Sequence, residues 1–179
     1  MKVALVVGLA LLAVLPAVLE AQESRVRFEV ALGGGVLSAQ SPYRTDPIAA
    51  GRAAIVLGST GNSSVEVSGL LLGVVGAGDS FGEPPIPRPI PNTLGLTVGS
   101  LWRRGTSPWS ASFGLGAYHV ESRASVPGAT TLGLHAGIQR RLARASFGAA
   151  VFDARMIVLP SINGSRVWAF PVGLALRSR

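Results

Sequence analysis

With 179 residues and no cysteine, the chain has the size of one domain and can hold neither a disulfide framework nor a thiolate metal site. Its formal net charge is +7, but the arginines come in ones and twos, with no basic helix or aromatic-basic cluster, which argues against a nucleic-acid partner. Mean hydropathy is high for a soluble secreted domain, at +0.44. Yet beyond residue 21 no stretch approaches the roughly 18 apolar residues that suggest a spanning helix, so strands must carry the hydrophobicity.

The chain opens with Lys2, an apolar run from Val3 to Val18 and small residues ending at Ala21. That order of charged, apolar and small-residue regions reads as a cleaved secretory signal peptide over 1–21, leaving a single domain over 22–179. The apolar run is shorter than the ~20 residues a membrane-spanning helix needs.

Eight segments then alternate apolar and small or polar residues, the period of a strand with two different surroundings. The first, from Arg25, sets Val26, Phe28, Val30 and Leu32 against Arg25, Arg27, Glu29 and Ala31. From Gly51, Ala53, Ile55 and Leu57 oppose Arg52, Ala54 and Val56; from Val65, Val65, Val67 and Leu71 oppose Glu66 and Ser68. From Asn92, Leu94, Leu96, Val98 and Trp102 oppose Thr93, Gly95, Thr97 and Gly99. The fifth, WSASFGLGAYHV, sets Trp109, Phe113 and Leu115 against Ser110, Ser112 and Tyr118. The sixth, from Thr130, sets Leu132, Leu134 and Ile138 against Gly133, His135, Gly137 and Gln139. The seventh, from Ala145, has weak contrast, and a bulge near Phe152 would swap its faces, so its phase stays open. The eighth, from Arg166, sets Trp168, Phe170, Val172, Leu174 and Leu176 against Val167, Ala169, Pro171 and Gly173. Each is near the ~9–11 residues with which a tilted strand crosses a bilayer.

The connections expected between these segments are 39–49, 59–63, 76–91, 103–108, 121–129, 142–144 and 158–165. Long alternates with short, as in an antiparallel meander with four outer loops and trimmed inner turns. The proline-rich loop GAGDSFGEPPIPRPIP is the longest. The apolar face carries Phe28, Trp102, Trp109 and Phe147 at the turn-side strand ends and Trp168 and Phe170 at the loop side, two aromatic belts for two lipid-water boundaries.

In signal peptide, eight alternating segments, loop lengths and belts, residues 24–177 resemble the small eight-stranded outer-membrane β-barrel family, porin-like proteins that include the transmembrane domain of outer-membrane protein A. The resemblance implies an all-β, eight-stranded antiparallel up-and-down barrel in the cell outer membrane of a Gram-negative envelope. It also implies lipopolysaccharide and the barrel-assembly machinery as partners. Such barrels often end in an aromatic residue that the machinery reads; here Leu176 stands near that place, followed by a basic tail. Pro171 predicts a bulge or a lost ladder bond, because a closed barrel has no edge where a missing N–H is harmless.

With the apolar faces toward lipid, the lumen receives Arg27, Glu29, Arg52, Glu66, Tyr118, His135, Gln139 and Arg141. Enclosed charges must pair, and Glu29 and Glu66 are expected to bridge Arg27 and Arg52. The reading is a polar plug that holds a structural or surface-interaction barrel. The glycine-rich inner faces of strands four to six raise a narrow channel as an alternative. A soluble lipocalin-like barrel with an apolar ligand is another alternative, but its exterior would be rich in Lys, Glu and Asp, whereas here the polar faces are Gly, Ser, Thr and Ala and the only lysine is Lys2.

Catalysis is not expected. Asp79 and Ser80 resemble a lipid A palmitoyltransferase only as a dipeptide, without a first-loop histidine, and His135 has no serine two residues on. His119 and His135 have no metal-ligand spacing, and no cofactor is implied.

Overall fold

The computed structural model describes residues 25–40, 43–58, 62–75, 92–121, 128–162 and 165–178. The expected signal peptide and the whole proline-rich loop 76–91, with the Asp79–Ser80 pair, lie outside these residues. The strands are β1 (Arg25–Gln40), β2 (Tyr43–Gly58), β3 (Ser63–Val74), β4 (Thr93–Trp102), β5 (Trp109–Val120), β6 (Ala129–Ala145), β7 (Gly148–Ile162) and β8 (Ser165–Ser178). They pair in chain order, all antiparallel, and β8 returns to β1 to close the barrel. Closure gives the ladder no free edge, the condition for strands to cross a lipid phase.

Alternation decides the two faces. Val30, Leu32, Leu96, Phe113, Leu115, Leu134 and Leu174 stand on the exterior, while Glu29, Glu66 and Tyr118 are sealed within. An apolar exterior around a charged interior is the inverse of a soluble barrel and removes the lipocalin-like alternative. In β7 the residues that face inward are Val151, Asp153, Arg155, Ile157 and Leu159. The face pattern passes Phe152 unchanged; the bulge lies across the ladder, between Arg141 and Ala143 of β6.

Two of the four expected outer loops are largely strand. β1 and β2 remain paired to Gln40↔Tyr43, and β7 and β8 to Ile162↔Ser165. The Ser- and Pro-containing stretch around Pro47 reads as a loop in sequence. In the fold Leu37, Ala39 and Ile48 carry the buried face through it, and the Pro47 carbonyl accepts from Val75 N–H at 3.0 Å. Pro171 keeps its register with β1 opposite Gly35. On the β7 side the pairing lapses between Ala154↔Val172 and Ile157↔Ala169 and resumes in the same register, a lost ladder bond without a bulge.

The closing seam is tight. A Cβ on Gly33 would lie 2.1 Å from the Val172 carbonyl oxygen, one on Gly35 2.1 Å from that of Phe170, and one on Gly173 2.4 Å from that of Leu32. These obstacles are backbone of the neighbouring strand, which cannot rotate away. Gly33→Val is therefore expected to destabilise the barrel by about 3 kcal/mol or more. Gly69→Ala, with no atom within 4 Å of the new Cβ, is expected to be neutral. The mobility difference between heated and unheated samples in detergent, followed through a urea titration, reads both.

Candidate functional site

The lumen is the one compartment where these strands gather polar chemistry, and it is layered. Its middle is a network of ion pairs. From β7, Arg155 donates from both terminal nitrogens to the two carboxylate oxygens of Glu66 on β3, at 2.8 and 2.9 Å. Its Nε also reaches Asp153, at 3.1 and 3.2 Å. Arg52 on β2 donates to Asp153 Oδ2 from Nε and Nη2 at 3.1 and 2.9 Å, binds Glu29 Oε1 through Nη2, and holds Nη1 3.4 Å from Glu66. Arg177 on β8 donates from Nε to Glu29 Oε2 at 2.6 Å and from Nη2 to Gln139. Gln139 Nε2 returns to Glu29 Oε1 at 3.0 Å.

The chain Arg177, Glu29, Arg52, Asp153, Arg155, Glu66 thus alternates in sign, three guanidiniums against three carboxylates, and Arg52 closes it toward Glu66. Isolated, any of these charges would be prohibitive in such a place; as bidentate, charge-assisted bonds they satisfy one another. Ser68 adds a hydroxyl to Glu66 at 3.3 Å and pairs with Thr97 of β4 at 2.7 Å. The Arg155–Glu66 and Arg52–Asp153 bridges join strands that are not neighbours in the sheet, so the network fills the lumen from wall to wall.

Of the eight residues expected inside, Glu29, Arg52, Glu66 and Gln139 join this network. Arg27 and Arg141, half-buried, stand nearer the turn-side end, where Arg27 Nη2 donates to Ser64 Oγ at 3.3 Å. Arg52 bridges Glu29 and Glu66 as spacing suggests, and the further arginine partners of these carboxylates in the network are Arg155 and Arg177. Asp153, Arg155 and Arg177 escape the sequence reading: β7 has no clear phase and Arg177 looks like tail. The available signal was the Asp153/Arg155 spacing, since two charges on alternate residues of a bilayer-crossing strand belong on its inner face.

Toward the loop side the lumen is apolar rather than polar, a core of Leu37, Ile48, Leu70, Leu72, Ile157, Leu159 and Val167 around Tyr118. This layer explains the inner glycines. A Cβ on Gly95, Gly116 or Gly133 would come within 2.7, 2.8 and 2.9 Å of the Tyr118 ring, and one on Gly114 within 2.6 Å of the His135 imidazole. The small faces of β4 to β6 therefore seat two large rings and leave no bore for a channel. His119 is on the exterior, its Nδ1 3.0 Å from Thr130 Oγ1, so the two histidines share no site. Among the described residues no cluster of three or more potential metal ligands occurs.

On the exterior, Phe28, Trp102 and Trp109 are exposed near the turn-side rim, and Phe147, at 76 %, sits in the β6–β7 turn itself. Arg140 stacks over Trp109 at 5.2 Å. Trp168, half-buried, and Phe170 lie near the loop end of β8.

No family model matches the chain, and no curated protein matches it in sequence. Solved structures do. Neisserial surface protein A superposes with a TM-score of 0.60 at 11 % identity, covering 86 % of this chain and 96 % of that one. The attachment invasion locus protein Ail of Yersinia pestis gives 0.58 at 18 % identity, over 84 % of this chain and 97 % of that one. The fold is that of the small eight-stranded outer-membrane β-barrels. Ail has also been solved in complex with the heparin analogue sucrose octasulfate, and that structure superposes with a TM-score of 0.59 at 16 % identity, over 86 % of this chain and 99 % of that one.

Because the lumenal ions depend on one another, Glu66→Gln is expected to lower stability by about 3 kcal/mol, leaving Arg155 without its bidentate partner. The double variant Glu66→Leu with Arg155→Met is expected to recover a large part of that loss. Urea unfolding of the barrel refolded into lipid vesicles measures the comparison.

Proposed function

We propose that the chain is an integral outer-membrane barrel of structural or surface-interaction type. Its lumen holds the barrel together, and its loop-side segments are the parts free to meet partners. One observation carries this reading: a closed cylinder whose outer wall is dominated by exposed Val, Leu, Ile and Phe, with most ionic groups gathered inside and aromatic side chains toward both rims. Residues 1–21 act as the export signal, and 22–179 form the barrel domain.

Lipopolysaccharide is the natural neighbour of the outer rim, and the barrel-assembly machinery inserts the chain, reading the last strand through Leu176 in place of an aromatic. The chain is not an enzyme in this reading: His135 is enclosed among the lumenal groups beside Gly99 and Gly114, closed off from solvent. The likeness to outer-membrane barrels of known structure supports the reading at the level of the fold.

Expression with the native leader, followed by fractionation, should place the protein in outer-membrane fractions with heat-dependent mobility; recovery from the aqueous periplasmic fraction would refute the proposal. Val30→Arg and Leu115→Arg each put a cation on the lipid-facing wall and are expected to destabilise the barrel by about 2–4 kcal/mol. Assembly yield and urea midpoints in vesicles read the effect.

A further inference from the structure

At the end of the barrel where the chain enters β1 and leaves β8, the lumen opens into a cavity of about 350 Å3. Arg27, Arg103, Arg141, Arg144 and Arg177 line it, with Ser110, Gln139 and Ser178, and no described lining residue is acidic. The network above is charge-balanced in itself and has no carboxylate to give: Glu29, the acid closest in the network to Arg177, already accepts from Arg52, Arg177 and Gln139.

The arginines are placed there by specific backbone devices. Strict alternation after Arg141 would send Arg144 to the lipid face. The β6 bulge shifts the register between Arg141↔Val151 and Ala143↔Ala150, so that Arg144 stands opposite Ala149, on the same inner side as Arg141. A bulge that re-aims one side chain is a recurring device beside binding sites. Arg141 N–H is fixed to the Pro108 carbonyl at 2.8 Å, and Arg103 N–H to that of Asn62 at 2.7 Å, which anchors both side chains on paired backbone. Arg103, Arg141 and Arg144, gathered around one opening, repel one another unless an anion joins them, and the planar guanidinium fork matches phosphate oxygens two at a time.

We propose that this cavity is a binding site for a phosphate-bearing polyanion, entered from the turn-side face of the membrane. Free polyphosphate and the headgroup of an anionic phospholipid present the same chemistry. The proposal rests on the membrane-barrel reading above, and heat-dependent mobility, scored in parallel, separates failure of that reading from failure of the site.

The test is calorimetric titration of the refolded full barrel, in uncharged detergent at low salt, with inorganic pyrophosphate. Saturable one-to-one binding is expected, weakened roughly a hundredfold by Arg141→Gln with Arg144→Gln, about tenfold for each charge-assisted contact removed. Arg140→Gln, on the exterior beside Trp109, should leave it unchanged. A second titration compares nanodiscs of phosphatidylcholine alone with nanodiscs that contain phosphatidylglycerol. Competition by the anionic lipid assigns the site to a headgroup, and its absence assigns it to a soluble polyanion. No saturable binding of either probe, or equal affinity in the double variant, overturns the proposal while an unaltered heat shift shows the barrel intact.

Discussion

Eight strands enclose a cylinder so narrow that its interior must be filled by its own side chains. Whatever one strand projects inward, the facing strands must make room for. Tyr118 meets this demand at three glycines, one each on β4, β5 and β6, and His135 at Gly114. The same demand presses charges together, so six ionic groups from five strands become one alternating chain. Filling and pairing are one problem here, solved by apolar packing toward the loops and by guanidinium–carboxylate forks below it.

The exterior follows from the opposite condition. Nothing on that wall needs a specific partner, so Val, Leu, Ile and Phe recur there without fine complementarity. Shape-specific packing is found at the seam, where Gly33, Gly35 and Gly173 let the first and last strands approach, and in the lumen. Substitutions on the two surfaces should therefore differ in kind: polarity decides outside, shape and charge decide inside.

Much of this was legible in the residues. Strands with a large difference between faces, such as 109–120 and 166–176, show their phase because bulky apolar residues alternate with Ser, Gly or small side chains. β7 does not, because Ala149, Ala150 and Ala154 contribute little contrast and its bulky apolar residues stand on both faces, Val151, Ile157 and Leu159 inward and Met156 outward. The ends of β1, β2, β7 and β8 were hidden as well, since serine and proline look like loop until a paired neighbour holds them extended. The ion pairs could not be read at all from spacing. Arg155 and Glu66 are 89 positions apart in sequence, and what brings them together is the diameter of the closed cylinder.

The layering of the lumen makes the molecule a cup rather than a tube. Its floor is the greasy packing around Tyr118, and its open mouth points toward the termini. Hydration of the ionic layer is consequently one-sided: water and small solutes reach it through the turn-side opening, while on the other side the packing around Tyr118 closes it off.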